Sequence, residues 1–165
     1  MIETIDKIAY TYQPVDLFVS SYVKIPSACL PTSAKTMQGL NSTLARIEAQ
    51  EKNCFEALML NIDGYIAEGS SCNIFWVKGE KIYTPSLDCD VLPGVMRDVV
   101  IRNSPFDVEE GKFNIEELFD ADEVFLTNVA WVVAPVKSVK PDKFSWKSFE
   151  CAANIRSVIL DEMGV

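Results

Sequence analysis

Residues 17–25 (LFVSSYVKI) are β-rich and predict the first solid strand. Pro26 and Pro31 then punctuate a stretch that must be loop, since proline fixes φ and removes a backbone donor. Over 40–52, Leu40, Leu44 and Ile47 recur at helical spacing and predict a helix with one buried stripe. Two hairpins follow. Asp63-Gly64 joins 55–61 to 65–67, and Lys78-Gly79-Glu80 joins 73–77 to 81–83. After a loop over 85–93, residues 94–102 read as a short helix, 116–119 as a helical turn and 123–126 as a buried strand. Residues 131–139 are extended but interrupted by Pro135, and 148–163 close the chain as a helix with Ile155, Val158 and Ile159 on one face. Hairpins mixed with separate helices predict an α+β domain on a strongly curved mixed sheet with flanking helices. Residues 1–16 read as an entry segment and 17–165 as the domain.

Composition narrows the chemistry. The 165 residues suit one domain, long enough to bury about two-thirds of the unfolded surface. A net charge of −9 argues against nucleic acid or an anionic membrane as partner, because phosphates require clustered Lys and Arg. The sequence has no apolar window long enough to span a bilayer and no signal-peptide core at its start, so a soluble, cytoplasmic protein is expected. Five widely spaced cysteines without a C-x-x-C pair read as free thiols rather than a zinc site. The absence of histidine excludes Ser-His-Asp, Cys-His and histidine–metal chemistry within this chain. Acid–base work must come from Lys, Asp, Glu, Tyr or Cys, or from a cofactor.

Three segments have both an ordinary and a chemical reading. EGSSCNIF (68–75) is a hairpin connection, or a cup whose small side chains let backbone N–H groups converge on a phosphate. LPGVMR (92–97) is a helix start, or a second phosphate site at the positive end of a helix dipole. Lys35, in its Pro-flanked loop, is solvated surface or a reactive amine.

Taken together, Glu68, Asn73 and Phe75, then Ile82-Tyr-Thr84, then Leu92, Gly94 and Arg97 resemble in order and spacing the signature of the class IV aminotransferase family. Lys35 stands 33 residues before Glu68, about where that family keeps its Schiff-base lysine. DEVFLTN (122–128) followed by Pro135-Val resembles the family's last strand and loop, so the likeness spans roughly 17–139. It implies the C-terminal pseudo-barrel domain of a fold-type IV enzyme that uses pyridoxal 5′-phosphate. By that resemblance Lys35 would hold the cofactor and act as general base, and Glu68 would pair with the pyridinium nitrogen. Ser71, with the N–H groups of Val95 and Met96, would hold the phosphate. Leu92 would pack against the ring, Asn128 would lie in the cofactor-binding loop, and Cys72 would serve packing.

The family includes branched-chain aminotransferases, D-amino acid aminotransferases and aminodeoxychorismate lyases, which release pyruvate to give 4-aminobenzoate for folate synthesis. Met96, where the aminotransferases usually carry threonine, resembles the lyases. So do Thr127-Asn128-Val-Ala, NIFWVKG (73–79) and YTPSLD (83–88). EAQEKN (48–53) and RDVVI (97–101) fit a D-amino acid aminotransferase. The lyase reading is the expectation and an aminotransferase its alternative, either one acting on a small amino-bearing substrate. Relative to the family pattern the chain begins after the smaller N-terminal domain and carries Met96 and Val129 where hydroxyls can grip phosphate. A complementing N-terminal partner, or a non-catalytic interaction role, follows from that departure. A homodimer is expected in either case.

Overall fold

The computed structural model describes residues 12–141 and 144–164; most of the entry segment, 1–11, lies outside the described residues. In chain order the elements are β1 (Val15–Val19), α1 (Leu40–Glu51), β2 (Glu56–Leu60), β3 (Ile66–Gly69), β4 (Asn73–Lys78), β5 (Lys81–Pro85), α2 (Val95–Asn103), β6 (Asp107–Gly111), α3 (Ile115–Phe119), β7 (Glu123–Asn128), β8 (Val132–Lys140), β9 (Phe144–Ser145) and α4 (Glu150–Met163). The nine strands among the described residues form one mixed sheet in the order β3-β2-β1-β8-β7-β4-β5-β6, with β9 on β8. β1 runs parallel to both β2 and β8, and β5 parallel to β6; the other pairs are antiparallel. The parallel pairs β1–β2 and β5–β6 need crossovers, which α1 and α2 supply. The sheet curls back on itself: the N–H of Ile66, at one edge, donates 2.8 Å to the carbonyl of Phe113, just beyond the other edge. This is the curved α+β pseudo-barrel expected from the sequence.

The curl creates an inside and an outside, and both are buried. Ile74 and Trp76 of β4 point into the curl with Leu17, Leu58 and Leu126, while Phe75 and Val77 face Val100 of α2 and Ile155 and Ile159 of α4. Alternate residues of one strand thus enter different cores, which explains why β4 reads as an unbroken apolar run. Phe75 stacks on Phe125 across β4 and β7 with ring centroids 5.2 Å apart. Glu123, at the start of β7, turns its buried carboxylate under α4, where it accepts the N–H groups of Glu150, Cys151 and Ala152 and the hydroxyl of Ser148.

Both hairpins form where the sequence places them, with positive φ at Gly64 and Gly79. Four expectations need correction. The first strand ends at Val19 rather than 25, because Glu48 of α1 captures the hydroxyls of Ser20 and Ser21 and diverts the backbone. The α1 stripe is not Leu40 and Ile47, which are exposed, but Ala45 and Ala49, small enough for α1 to lie close on Ala57 and Met59 of β2. Pro135 does not break its strand: β8 runs through it opposite Phe125, one residue before pairing with β1 begins at Val15–Val136. Finally, β6 and β9 were not expected. β6 is the acidic segment DVEEG on a sheet edge, where nothing apolar marks the register. Among the described residues no helix is long and apolar enough to cross a membrane, and no metal-ligand cluster occurs. The five cysteines are free.

Candidate functional site

A cleft of about 1060 Å³ opens where the β3–β4 turn, the start of α2, the end of β7 and the 26–39 loop converge. Its chemical centre is Glu68, near the end of β3. The hairpin turn at Gly64 sends β3 back antiparallel to β2, which sets Glu68 beside Met59 and leaves its carboxylate buried at the cleft wall. Glu68 Oε1 lies 2.5 Å from Lys24 Nζ. Oε2 accepts the N–H of Leu92 at 3.0 Å and Asn73 Nδ2 at 3.2 Å. Asn73 donates its second hydrogen to the Leu92 carbonyl at 2.9 Å, so one amide ties the β4 start to the loop before α2. Burial raises the Glu68 pKa, while Lys24, the Leu92 N–H and the charge of Lys35 oppose the rise. Three donors occupy three of the roughly four acceptor directions of a carboxylate, leaving one direction of Oε1.

A second carboxylate sits beneath the β3–β4 turn. Glu56 is fully buried and accepts the Ser71 hydroxyl at 2.7 Å, the Ser70 hydroxyl and the Ser70 N–H. Arg46 Nη1, 2.7 Å away, balances its charge, and the guanidinium lies over the Phe55 ring at 5.3 Å. Ser71 has only one O–H, and here it is given to Glu56. Burial, then the carboxylates of Glu56 and Glu68, push the Cys72 thiol well up, which makes it packing and not a nucleophile.

The start of α2 closes the far wall. Gly94 caps the helix without a side-chain hydrogen bond, and the first i−4 bond of α2 is Asp98 N–H to Gly94 carbonyl. The N–H groups of Val95 and Met96 precede that bond and belong to the helix end that favours anions. Only glycine fits at 94: a Cβ there would come within 2.1 Å of Asn73 Oδ1. At the end of β7, Asn128 donates to the Ser71 carbonyl at 3.3 Å and accepts the N–H groups of Ala130 and Trp131, which folds the 128–131 turn against the β3–β4 turn. Its neighbour Thr127 is fully buried, and its hydroxyl has no hydrogen-bond partner among the described residues.

All seven residues singled out from the sequence (Lys35, Glu68, Ser71, Leu92, Val95, Met96 and Asn128) line this one cleft. They differ in situation. Glu68 and Met96 are buried, Leu92 and Asn128 are half-buried, and Lys35, Ser71 and Val95 are exposed. The loop bearing Lys35 is anchored at its start by the Ser27 N–H donating to Asp90 Oδ1 at 2.6 Å. Sequence reasoning missed Lys24, Arg46 and Glu56. Lys24 sits in a segment read as strand, and its only signal was a cation near the end of a β-rich run.

The model of the amino-transferase class IV family matches residues 1–139. The chain is similar to the probable branched-chain-amino-acid aminotransferase of Thermotoga maritima, at 35% identity over 79% of this chain and 48% of that protein. It is also similar to the aminodeoxychorismate lyase of Bacillus subtilis, at 32% identity over 78% of this chain and 45% of that protein. Among solved structures, a T.th. branched-chain amino acid aminotransferase with pyridoxamine 5′-phosphate superposes with a TM-score of 0.82 at 33% identity, covering 90% of this chain and 51% of that one. The chain thus spans about half the length of the relatives it matches.

Proposed function

Because the chain belongs to the amino-transferase class IV family, we propose that its cleft binds pyridoxal 5′-phosphate and acts on a small amino-bearing substrate. The observation that carries this reading is the convergence on one cleft of a lysine, a buried carboxylate with a free acceptor direction, and an uncapped helix start. This donor set suits the group: an acceptor for a ring N–H, donors for a phosphate and an amine for the aldehyde. When bound, the cofactor supplies an electron sink for bond-breaking at the carbon next to the substrate nitrogen. Lys35 would carry the cofactor and move the proton at that carbon. Glu68 would accept the ring N–H. The N–H groups of Val95 and Met96 would hold the phosphate, and Leu92 would pack on the ring face. Ser71, its hydroxyl engaged by Glu56, would contribute through its main chain.

For the reaction, we favour aminodeoxychorismate lyase chemistry, releasing pyruvate and 4-aminobenzoate. Its support is Asn128, whose amide closes the end of β7 over the β3–β4 turn where the aminotransferases of the family carry small or hydroxyl residues. The branched-chain aminotransferases among the relatives favour the second reading, amino transfer to a 2-oxo acid. In either case the working unit would be a homodimer, with a complementing N-terminal domain closing the cleft. Assays of the chain, alone and mixed with such a domain, decide. Pyruvate and 4-aminobenzoate from aminodeoxychorismate support the lyase. Turnover of branched-chain or D-amino acids with 2-oxoglutarate supports the transferase. No turnover of either kind rejects both reactions.

A further inference from the structure

Lys24 has no place in the site assembled from the sequence, yet among the described residues it makes the shortest contact that Glu68 has. It follows β1 after the kink at Ser20 and Ser21, and its N–H rejoins the sheet by donating to the Leu60 carbonyl at 2.8 Å. That bond fixes the backbone beside β2, the strand next to β3. The side chain is 14% exposed, lines the cleft, and delivers its ammonium to Glu68 Oε1. A carboxylate as buried as Glu68 gains its proton unless a cation or several donors hold the anion. The Leu92 N–H and Asn73 supply two neutral donors on the other oxygen, and Lys24 supplies the charge. Other titratable groups near Glu68 are Lys35, exposed on its loop, Cys72, whose thiol is pushed well up by burial, and Arg46, which lines the same cleft but pairs with Glu56.

We propose that Lys24 is a positioning residue: the counter-ion that keeps Glu68 an anion and fixes Oε1, so that the last acceptor direction can take the ring N–H of the cofactor. This inference rests on the cofactor reading above. A neutral Glu68 would offer a proton of its own and no negative charge to favour a protonated ring nitrogen, which weakens the electron sink. Lys24 therefore acts through Glu68 and touches neither substrate nor reacting atoms.

The test reads Glu68 directly in the cofactor-free chain. Glutamate side chains are labelled with carbon-13 at the carboxyl, the Glu68 signal is assigned by its loss in Glu68→Gln, and its titration is followed by NMR. Lys24→Met should increase the proton affinity of Glu68 by about tenfold or more, the size expected for losing an adjacent opposite charge. Lys24→Arg should restore the wild-type titration. Lys24→Gln, which keeps a donor but no charge, serves if the methionine variant does not fold, and should move the titration in the same direction. A Glu68 titration unmoved by loss of the Lys24 charge overturns the proposal, as does failure of arginine to rescue a shift. In parallel, borohydride trapping of pyridoxal phosphate is mapped on the wild-type chain. If Lys35 is labelled and the Glu68 titration is indifferent to Lys24, only the role of Lys24 falls. If Lys35 is not labelled, the cofactor reading falls and takes this inference with it.

Discussion

Glu68 and Glu123 are both buried glutamates at the ends of strands in the same sheet, but they are held in opposite ways. Glu123 spends both oxygens on the first turn of α4, accepting three backbone N–H groups and the Ser148 hydroxyl. Its neighbours are the chain's own helix, its surroundings are core, and it lies away from the cleft. Glu68 meets one backbone N–H, one amide and one lysine, and keeps an unfilled direction beside that cleft. A carboxylate saturated by a helix start is structure. A carboxylate balanced by a single cation, with capacity left over, is positioned for a ligand. Glu56 falls between: saturated by two serines and Arg46, it shapes the cleft floor from below.

This contrast can be broken by mutation. Glu123→Ala strips the α4 start of its acceptor and should cost about 3 kcal/mol, the order expected for unmet buried donors. Urea melts should show it, with cofactor retention in the surviving folded fraction unchanged. Gly94→Ala forces a methyl onto Asn73 Oδ1. We expect a loss of about 2 kcal/mol from the displaced packing, together with weaker binding of pyridoxal phosphate, because Asn73 links Leu92 to Glu68. Equal cofactor affinity in that variant would separate the α2 start from the site.

Glu68→Gln should be milder for stability, about 1 kcal/mol, since Lys24 can turn its ammonium toward the water of the cleft. Its signature is in pH dependence. Burial raises the folded-state pKa of Glu68, so the folded chain binds the proton more tightly than the unfolded one. The contribution of that proton is fully present below about pH 4.5, the ordinary glutamate value, and is lost as pH climbs through the raised value. Stability of the wild type should therefore fall across that window relative to Glu68→Gln; parallel pH profiles would contradict the assignment. At the small end, Lys78→Ala removes an exposed pair with Asp120 at 3.4 Å and should change stability by no more than about 0.5 kcal/mol.

Glu68, Asn73, Leu92 and Gly94 were legible in the sequence through their resemblance, in order and spacing, to the class IV family signature; the two small-residue turns that carry them also had an ordinary reading. The structure shows why that spacing exists: Asn73 bonds both Leu92 and Glu68, and Gly94 leaves room for it. Lys24 and Arg46 were not legible because their partners are 44 and 10 residues away and meet them only after strands or helices pack. The β-rich pattern around Lys24 also concealed a kink that depends on Glu48, a residue of α1. β6 was invisible for a related reason. An acidic edge strand is specified by its neighbour β5 rather than by its own periodicity.

The most direct test of the cofactor cleft is to incubate the purified chain with pyridoxal phosphate, reduce with borohydride and map the modified peptides by mass spectrometry. Labelling concentrated on Lys35, and abolished at that peptide by Lys35→Ala, is the predicted result. Labelling scattered over the surface lysines, or concentrated on Lys24, would contradict the account.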